Sequence, residues 1–126
     1  MYNQIPGTEA AAFKPRKPIV VLRQIGNLVY TSGHGPEDQI TGKPIYAGRI
    51  GRDLTSEEGH AAARECGVIL LGALRDHFGS LDRVKSLVKA TALINVDGDF
   101  CDLDYVMDGF SDLMADVLDE CGKHVR

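Results

Sequence analysis

Long apolar runs are missing from this 126-residue chain. Every apolar stretch is broken by Arg, Glu or Gly well short of the ~18 residues that a membrane span needs, so no membrane partner is expected. No basic, apolar, small-residue signal pattern opens the sequence either, which points to a cytoplasmic protein. Cysteine is scarce: Cys66, Cys101 and Cys121 are odd in number and lack metal-ligand spacing, and they read as reduced thiols, two of them on apolar helix faces. A basic excess is missing too. The chain has 14 Lys and Arg against 18 Asp and Glu, a net charge of −4, whereas strong nucleic-acid binding depends on clustered cations to neutralise phosphates. The one basic cluster, Lys14, Arg16 and Lys17, is surrounded by Pro15 and Pro18, and residues 1–18 read as an extended, solvated arm. No linker or repeat divides the rest. At 44% hydrophobic content, residues 1–126 form a single domain with a core and little to spare.

What is present begins with a hairpin. Ile19 to Ile25 is a β-branched run, Gly26-Asn27 is a two-residue turn pair, and Leu28-Val29-Tyr30-Thr31 returns antiparallel before stopping on Ser32-Gly33. Leu28, Tyr30 and Ser32 fall on one face and Val29 and Thr31 on the other. Such a stop places a hydroxyl beside bare backbone, which suits the rim of a small-ligand pocket; the plainer reading is an ordinary strand end. Pro36 to Pro44 reads as a loop and Ile45 to Ile50 as a short strand.

Thr55 with Glu58 three residues on is a capping-box spacing, and Ala62, Cys66, Ile69, Leu70, Ala73 and Leu74 then recur at helical intervals until Gly79. Gly67 and Gly72 inside this helix suggest close approach to strands. From Asp82 to Val96 the apolar period changes to two, predicting a long strand with Val84, Val88 and Ala90 inward and Leu87 and Leu93 outward. Burial of that outward pair calls for a second copy of the chain. Asp102 to Cys121 predicts a second helix with one broad apolar face and Gly122 as its cap. Asp104, Asp108, Asp112, Asp116 and Glu120 spiral around its other side, a solvated row and not a metal cage. His60 and His77 read as solvent-side residues of helix one.

The glycine-asparagine hairpin, the Thr31-Ser32-Gly33 strand end, the helix opening Asp53-Leu54-Thr55-x-Glu57-Glu58-Gly59 and the second helix leading to His124-Val125-Arg126 together resemble the RidA/YjgF family, also called endoribonuclease L-PSP-like. The likeness runs from about Ile19 to the last residue. A Gly33-x-Gly35-Pro36 turn and the Gly51-Arg52-Asp53-Leu54-Thr55 helix entry place it in a sub-branch of less settled chemistry. The resemblance implies an α+β fold, a mixed β-sheet with two helices packed on one face, of the chorismate mutase-like type, and a homotrimer. It also implies further strands beyond Arg126, carrying a cysteine and a glutamate of the deaminase site, that this sequence does not contain.

In the deaminase branch a pocket between subunits holds a small imine or enamine acid while water attacks the C=N carbon, without cofactor or metal. By resemblance Arg126 is the clamp for the substrate carboxylate, Ser32 and Gly33 line the same pocket, and Asp108 falls near a family asparagine. A guanidinium suits that task because it stays charged and can donate two parallel hydrogen bonds. Ile19 replaces a family tyrosine, and His34 a glutamine, where it either relays protons or is simply solvated. His124 joins the pocket only through its nearness to Arg126, and Arg126 itself reads either as anchor or as a mobile surface charge. Three functions stand open: cofactor-free hydrolysis of small imino acids to keto acids and ammonia, non-catalytic binding of small carboxylates by an oligomer, and endoribonuclease activity.

Overall fold

A computed structural model describes residues 18–126, so the basic cluster of the expected N-terminal arm lies outside the described residues. Strands β1 (Leu22–Ile25) and β2 (Leu28–Thr31) pair antiparallel, with Leu22 opposite Thr31 and Ile25 opposite Leu28. Gly26 takes φ +59° at the first turn position, a conformation closed to most side chains and the reason this pair closes the hairpin. One face sets Leu22 and Val29 against the core; the other leaves Ile25, Leu28 and Tyr30 exposed.

Between hairpin and first helix the chain is held by side chains and bends. The Asp38 carboxylate accepts the Ile40 and Thr41 amides and the Thr41 hydroxyl at 2.7–3.0 Å, which lowers its pKa. Ile45 to Ile50 is not a strand, contrary to its sequence pattern. Gly48 at φ +120° and Gly51 at φ +93° bend the backbone there, and only Ile50 makes isolated bridges, to Leu54 and Val96.

Helix α1 (Ser56–Phe78) starts where the capping box predicts. The Glu58 amide donates to Thr55 Oγ1 at 3.1 Å and the Thr55 amide to Glu58 Oε2 at 2.8 Å, and Gly79 in the left-handed region ends the helix. Helix α2 (Leu103–Leu118) packs across it. Val68, Leu71 and Leu74 of α1 meet Phe110, Leu113, Met114, Val117 and Leu118 of α2 to form the core. Leu71, Met114, Val117 and Leu118 are almost fully buried, each burial stabilising the fold by about 1.5–3 kcal/mol.

The helix glycines act differently from expectation. A Cβ on Gly67 would meet Leu113 and Met114 of α2, not a strand, and one on Gly72 would meet nothing. The closest approach is at Gly109, where a Cβ would run into the His60 carbonyl oxygen. His60 is correspondingly no free solvent residue. Its Nδ1 donates to the Tyr105 carbonyl at 2.8 Å and its ring stacks on Tyr105, tying the helices together.

The expected strand at Asp82 to Val96 is replaced by a 3-10 turn, Leu81–Arg83, followed by extended backbone with isolated parallel bridges, Lys89 to Val125 and Val96 to Ile50. The turn shifts the facing residues. Val84, Leu87 and Ala90 pack against the core at intervals of three, while Val88 is exposed. Leu93 points outward as expected and is 99% exposed. The antiparallel hairpin and parallel bridges beneath two helices make an α+β arrangement of the chorismate mutase-like type. Among the described residues no helix is long and apolar enough to cross a membrane.

Candidate functional site

Helix α2 ends at Leu118, not at Gly122. Asp119, at φ 50°, breaks it into a short 3-10 turn, Asp119–Gly122. Gly122 has a different role from capping: its α-carbon presses on the Met114 carbonyl so closely that a Cβ would collide with it. The chain then doubles back along α2 in extended form. Ala90 N donates to Val125 O at 2.9 Å and Val125 N to Val88 O at 3.1 Å, so Val125 is committed to the neighbouring segment. His124 and Arg126, on either side of it, share the opposite face and reach α2.

On α2 they meet Asp108 and Ser111, three residues apart and therefore neighbours on one helix face. Arg126 Nη2 donates to Asp108 Oδ1 at 2.8 Å and, at 3.4 Å, to the Asp104 carbonyl; Nη1 donates to Ser111 Oγ at 3.1 Å. His124 Nε2 lies 3.0 Å from Ser111 Oγ, its Nδ1 lies 2.7 Å from the Gly122 carbonyl, and its ring meets Phe110 edge to face. Beside this network is an open cleft, a shallow cavity of about 320 Å³, lined by Asp108, Ser111, Lys123, His124 and Arg126 with small residues between. Both cations on its wall are already paired, Arg126 with Asp108 and Lys123 with Glu120, each at 2.8 Å, so a small anion binds there by sharing or displacing a carboxylate. Because Arg126 is already held at both terminal nitrogens, a ligand need not pay the full cost of ordering it.

A model of the family described as "YjgF/chorismate mutase-like, putative endoribonuclease" matches residues 5–126. The chain belongs to this family. It is 36% identical over 117 residues to Protein TCP17 of Trypanosoma cruzi, covering 92% of this chain and 72% of that protein. Among solved structures it is similar to the Agrobacterium tumefaciens protein Atu1372, of unknown function, with TM-score 0.81 and 31% identity over 86% of this chain and 68% of that one. It is also similar to a "putative endoribonuclease" of Shewanella oneidensis MR-1, with TM-score 0.73 and 30% identity over 96% of this chain and 76% of that one.

Of the residues that the family likeness singled out, Asp108 and Arg126 come together at this cavity. Ser32, Gly33 and His34 do not line it; they sit at the end of the hairpin. There the Ser32 amide continues the strand pairing by donating to Val21 O at 2.8 Å, and its hydroxyl donates to Val20 O at 2.5 Å. The backbone at Gly33 is open, with nothing within 4 Å of where a Cβ would stand. His34 is half-buried, and that burial lowers its pKa against a smaller opposing effect of a backbone hydrogen bond at Ser32.

Ser111 was not among the residues singled out. A serine inside a helix beside Asp112 reads as surface, and its only signal is the three-residue offset from Asp108. Of the cysteines, Cys66 is half-buried, with its thiol pushed up to about 11 by burial and by Glu65, while Cys101 is exposed. A thiol raised that far is almost wholly protonated at neutral pH and is no nucleophile.

Proposed function

We propose that the Arg126 cavity binds small imino or enamine acids and hydrolyses them to keto acids and ammonia. The observation that carries this reading is the pre-positioned guanidinium on the wall of a small cavity, with Lys123 beside it. Three of its donor contacts are used internally, two from Nη2 and one from Nη1, so a two-bond grip on a ligand carboxylate requires exchange with Asp108 or the Asp104 carbonyl. Holding the carboxylate there fixes the adjacent C=N carbon at the cavity mouth, where bound water is the nucleophile. Carbon gains oxygen from water and loses nitrogen as ammonia, so no redox partner or cofactor enters the balance.

A second copy of the chain closes the site in this proposal. Leu93 and the Ile25, Leu28 and Tyr30 face of the hairpin are the apolar surface available for that contact, and a threefold assembly would bring Ser32, Gly33 and His34 of one copy towards Arg126 of the next. The net charge of −4 gives little support to binding of an RNA backbone.

Ammonia release from freshly generated 2-aminoacrylate tests the reading. The expected result is a rate above buffer that falls at least about 10²-fold in Arg126→Ala. No rate above buffer, or the same rate in the variant, removes the enzymatic proposal. Saturable calorimetric heat with pyruvate but no ammonia would identify a binding protein instead.

A further inference from the structure

Hydrogen-bond direction at His124 Nδ1 is fixed by chemistry, and for the neutral ring it sets the direction at Ser111 as well. A carbonyl oxygen can only accept, so His124 Nδ1, 2.7 Å from Gly122 O, carries a hydrogen. In the neutral ring Nε2 is then the lone-pair nitrogen, and Ser111 donates its hydroxyl hydrogen to it across 3.0 Å. Ser111 Oγ meanwhile accepts from Arg126 Nη1 at 3.1 Å. The edge of the Phe110 contact fixes the plane of the imidazole, with ring centroids 5.6 Å apart. A hydroxyl joined to an oriented base on one side and a guanidinium on the other lines the same cavity as the carboxylate clamp. The guanidinium favours negative charge on Oγ, and binding a carboxylate makes no use of the hydrogen bond between Ser111 and His124.

We propose that Ser111 and His124 form a two-step proton relay for the ligand held by Arg126, an inference that rests on the hydrolytic reading above. As water adds to the iminium carbon, the O–C bond forms and the C=N π pair moves to nitrogen. A water proton passes to Ser111 Oγ while the Ser111 proton passes to His124 Nε2. In the charged ring both nitrogens donate, so Ser111 accepts from His124 and Arg126 and turns its own O–H into the cavity. The relay then runs backwards: the proton reaches the amino nitrogen of the adduct and the C–N bond breaks. The carbonyl forms, and the hydroxyl proton leaves with ammonia as ammonium. Ser111 is the group that touches water; His124 is a positioning residue acting through it. The charged groups that share the cleft with this ring are Asp108, Lys123 and Arg126, with Asp104 and Glu120 bound to the two cations and Lys89 on the adjoining extended segment.

The test compares wild type, Ser111→Ala, Ser111→Thr and His124→Gln in steady-state kinetics across pH, with thermal melting to confirm folding and ¹⁵N spectra of the His124 side chain. The relay predicts a fall in kcat of about 10²-fold or more for Ser111→Ala and His124→Gln, with KM little changed in His124→Gln and raised at most severalfold in Ser111→Ala, where Arg126 loses one contact. It also predicts an altered pH profile of kcat in both, substantial recovery in Ser111→Thr, and the Nδ1–H tautomer. A raised KM at unchanged kcat, a wild-type pH profile in Ser111→Ala, or the Nε2–H tautomer overturns it. Absence of turnover in wild type is a separate failure, of the hydrolytic reading. In that case the relay is discarded with it, whereas turnover in wild type with unchanged kcat in Ser111→Ala and His124→Gln discards the relay alone.

Discussion

Arg126 Nη2 and Asp108 Oδ1 stand 2.8 Å apart although 18 residues separate them in the chain. The turn at Asp119 and the Val125 bridge bring them together, and both side chains keep part of their surface in water, 29% for Arg126 and 47% for Asp108. A pair this exposed contributes only about 0–1 kcal/mol to stability, so its greater effect falls on whatever else the guanidinium binds.

The Asp108 carboxylate competes with a ligand carboxylate for that charge. Asp108→Asn keeps an oxygen acceptor for Nη2 but removes the competing charge. Its affinity for pyruvate is expected to rise about three- to fivefold, equivalent to about 1 kcal/mol or less, with the melting temperature nearly unchanged. Titration calorimetry on the two proteins checks this.

Two helix glycines make opposite predictions for the same substitution. Gly72 faces open space in the interior of α1, so Gly72→Ala should stabilise by up to about 1 kcal/mol through helix propensity. Gly109 sits against the His60 carbonyl, where a methyl group has no room and the neighbour is backbone. Gly109→Ala should therefore cost about 1–3 kcal/mol or more as the helices are forced apart. Urea unfolding of the two variants checks the signs.

Burial of His34 favours its neutral form, so its folded pKa lies below the ordinary 6.5. Between 6.5 and that lower value the unfolded chain binds more protons than the folded one. The stabilising contribution is therefore complete above about pH 6.5 and is lost as pH falls through this window. His34→Gln should flatten the fall in stability below about pH 6.5, measured by urea midpoints at each pH.

Local signals were legible where one short motif decides the geometry. The Thr55 and Glu58 box fixes the start of α1, Gly26 fixes the hairpin, and the broad apolar face of α2 fixes its packing. Residues 84–96 were misread because a run rich in Val, Leu and Ala fits an interval of two or of three equally well. The 3-10 turn at Leu81–Arg83 and the sparse bridges select Val84, Leu87 and Ala90. At the candidate site Arg126 and Asp108 were accessible through family likeness. Ser111 was not, because its part depends on a chain reversal that no local pattern encodes.

Calorimetric titration of pyruvate into wild type and Arg126→Ala bears most directly on the role of the cavity. The account predicts saturable heat in wild type that is abolished by the substitution, with the fold intact by circular dichroism. Equal heat in the two proteins, or none in wild type, would contradict it.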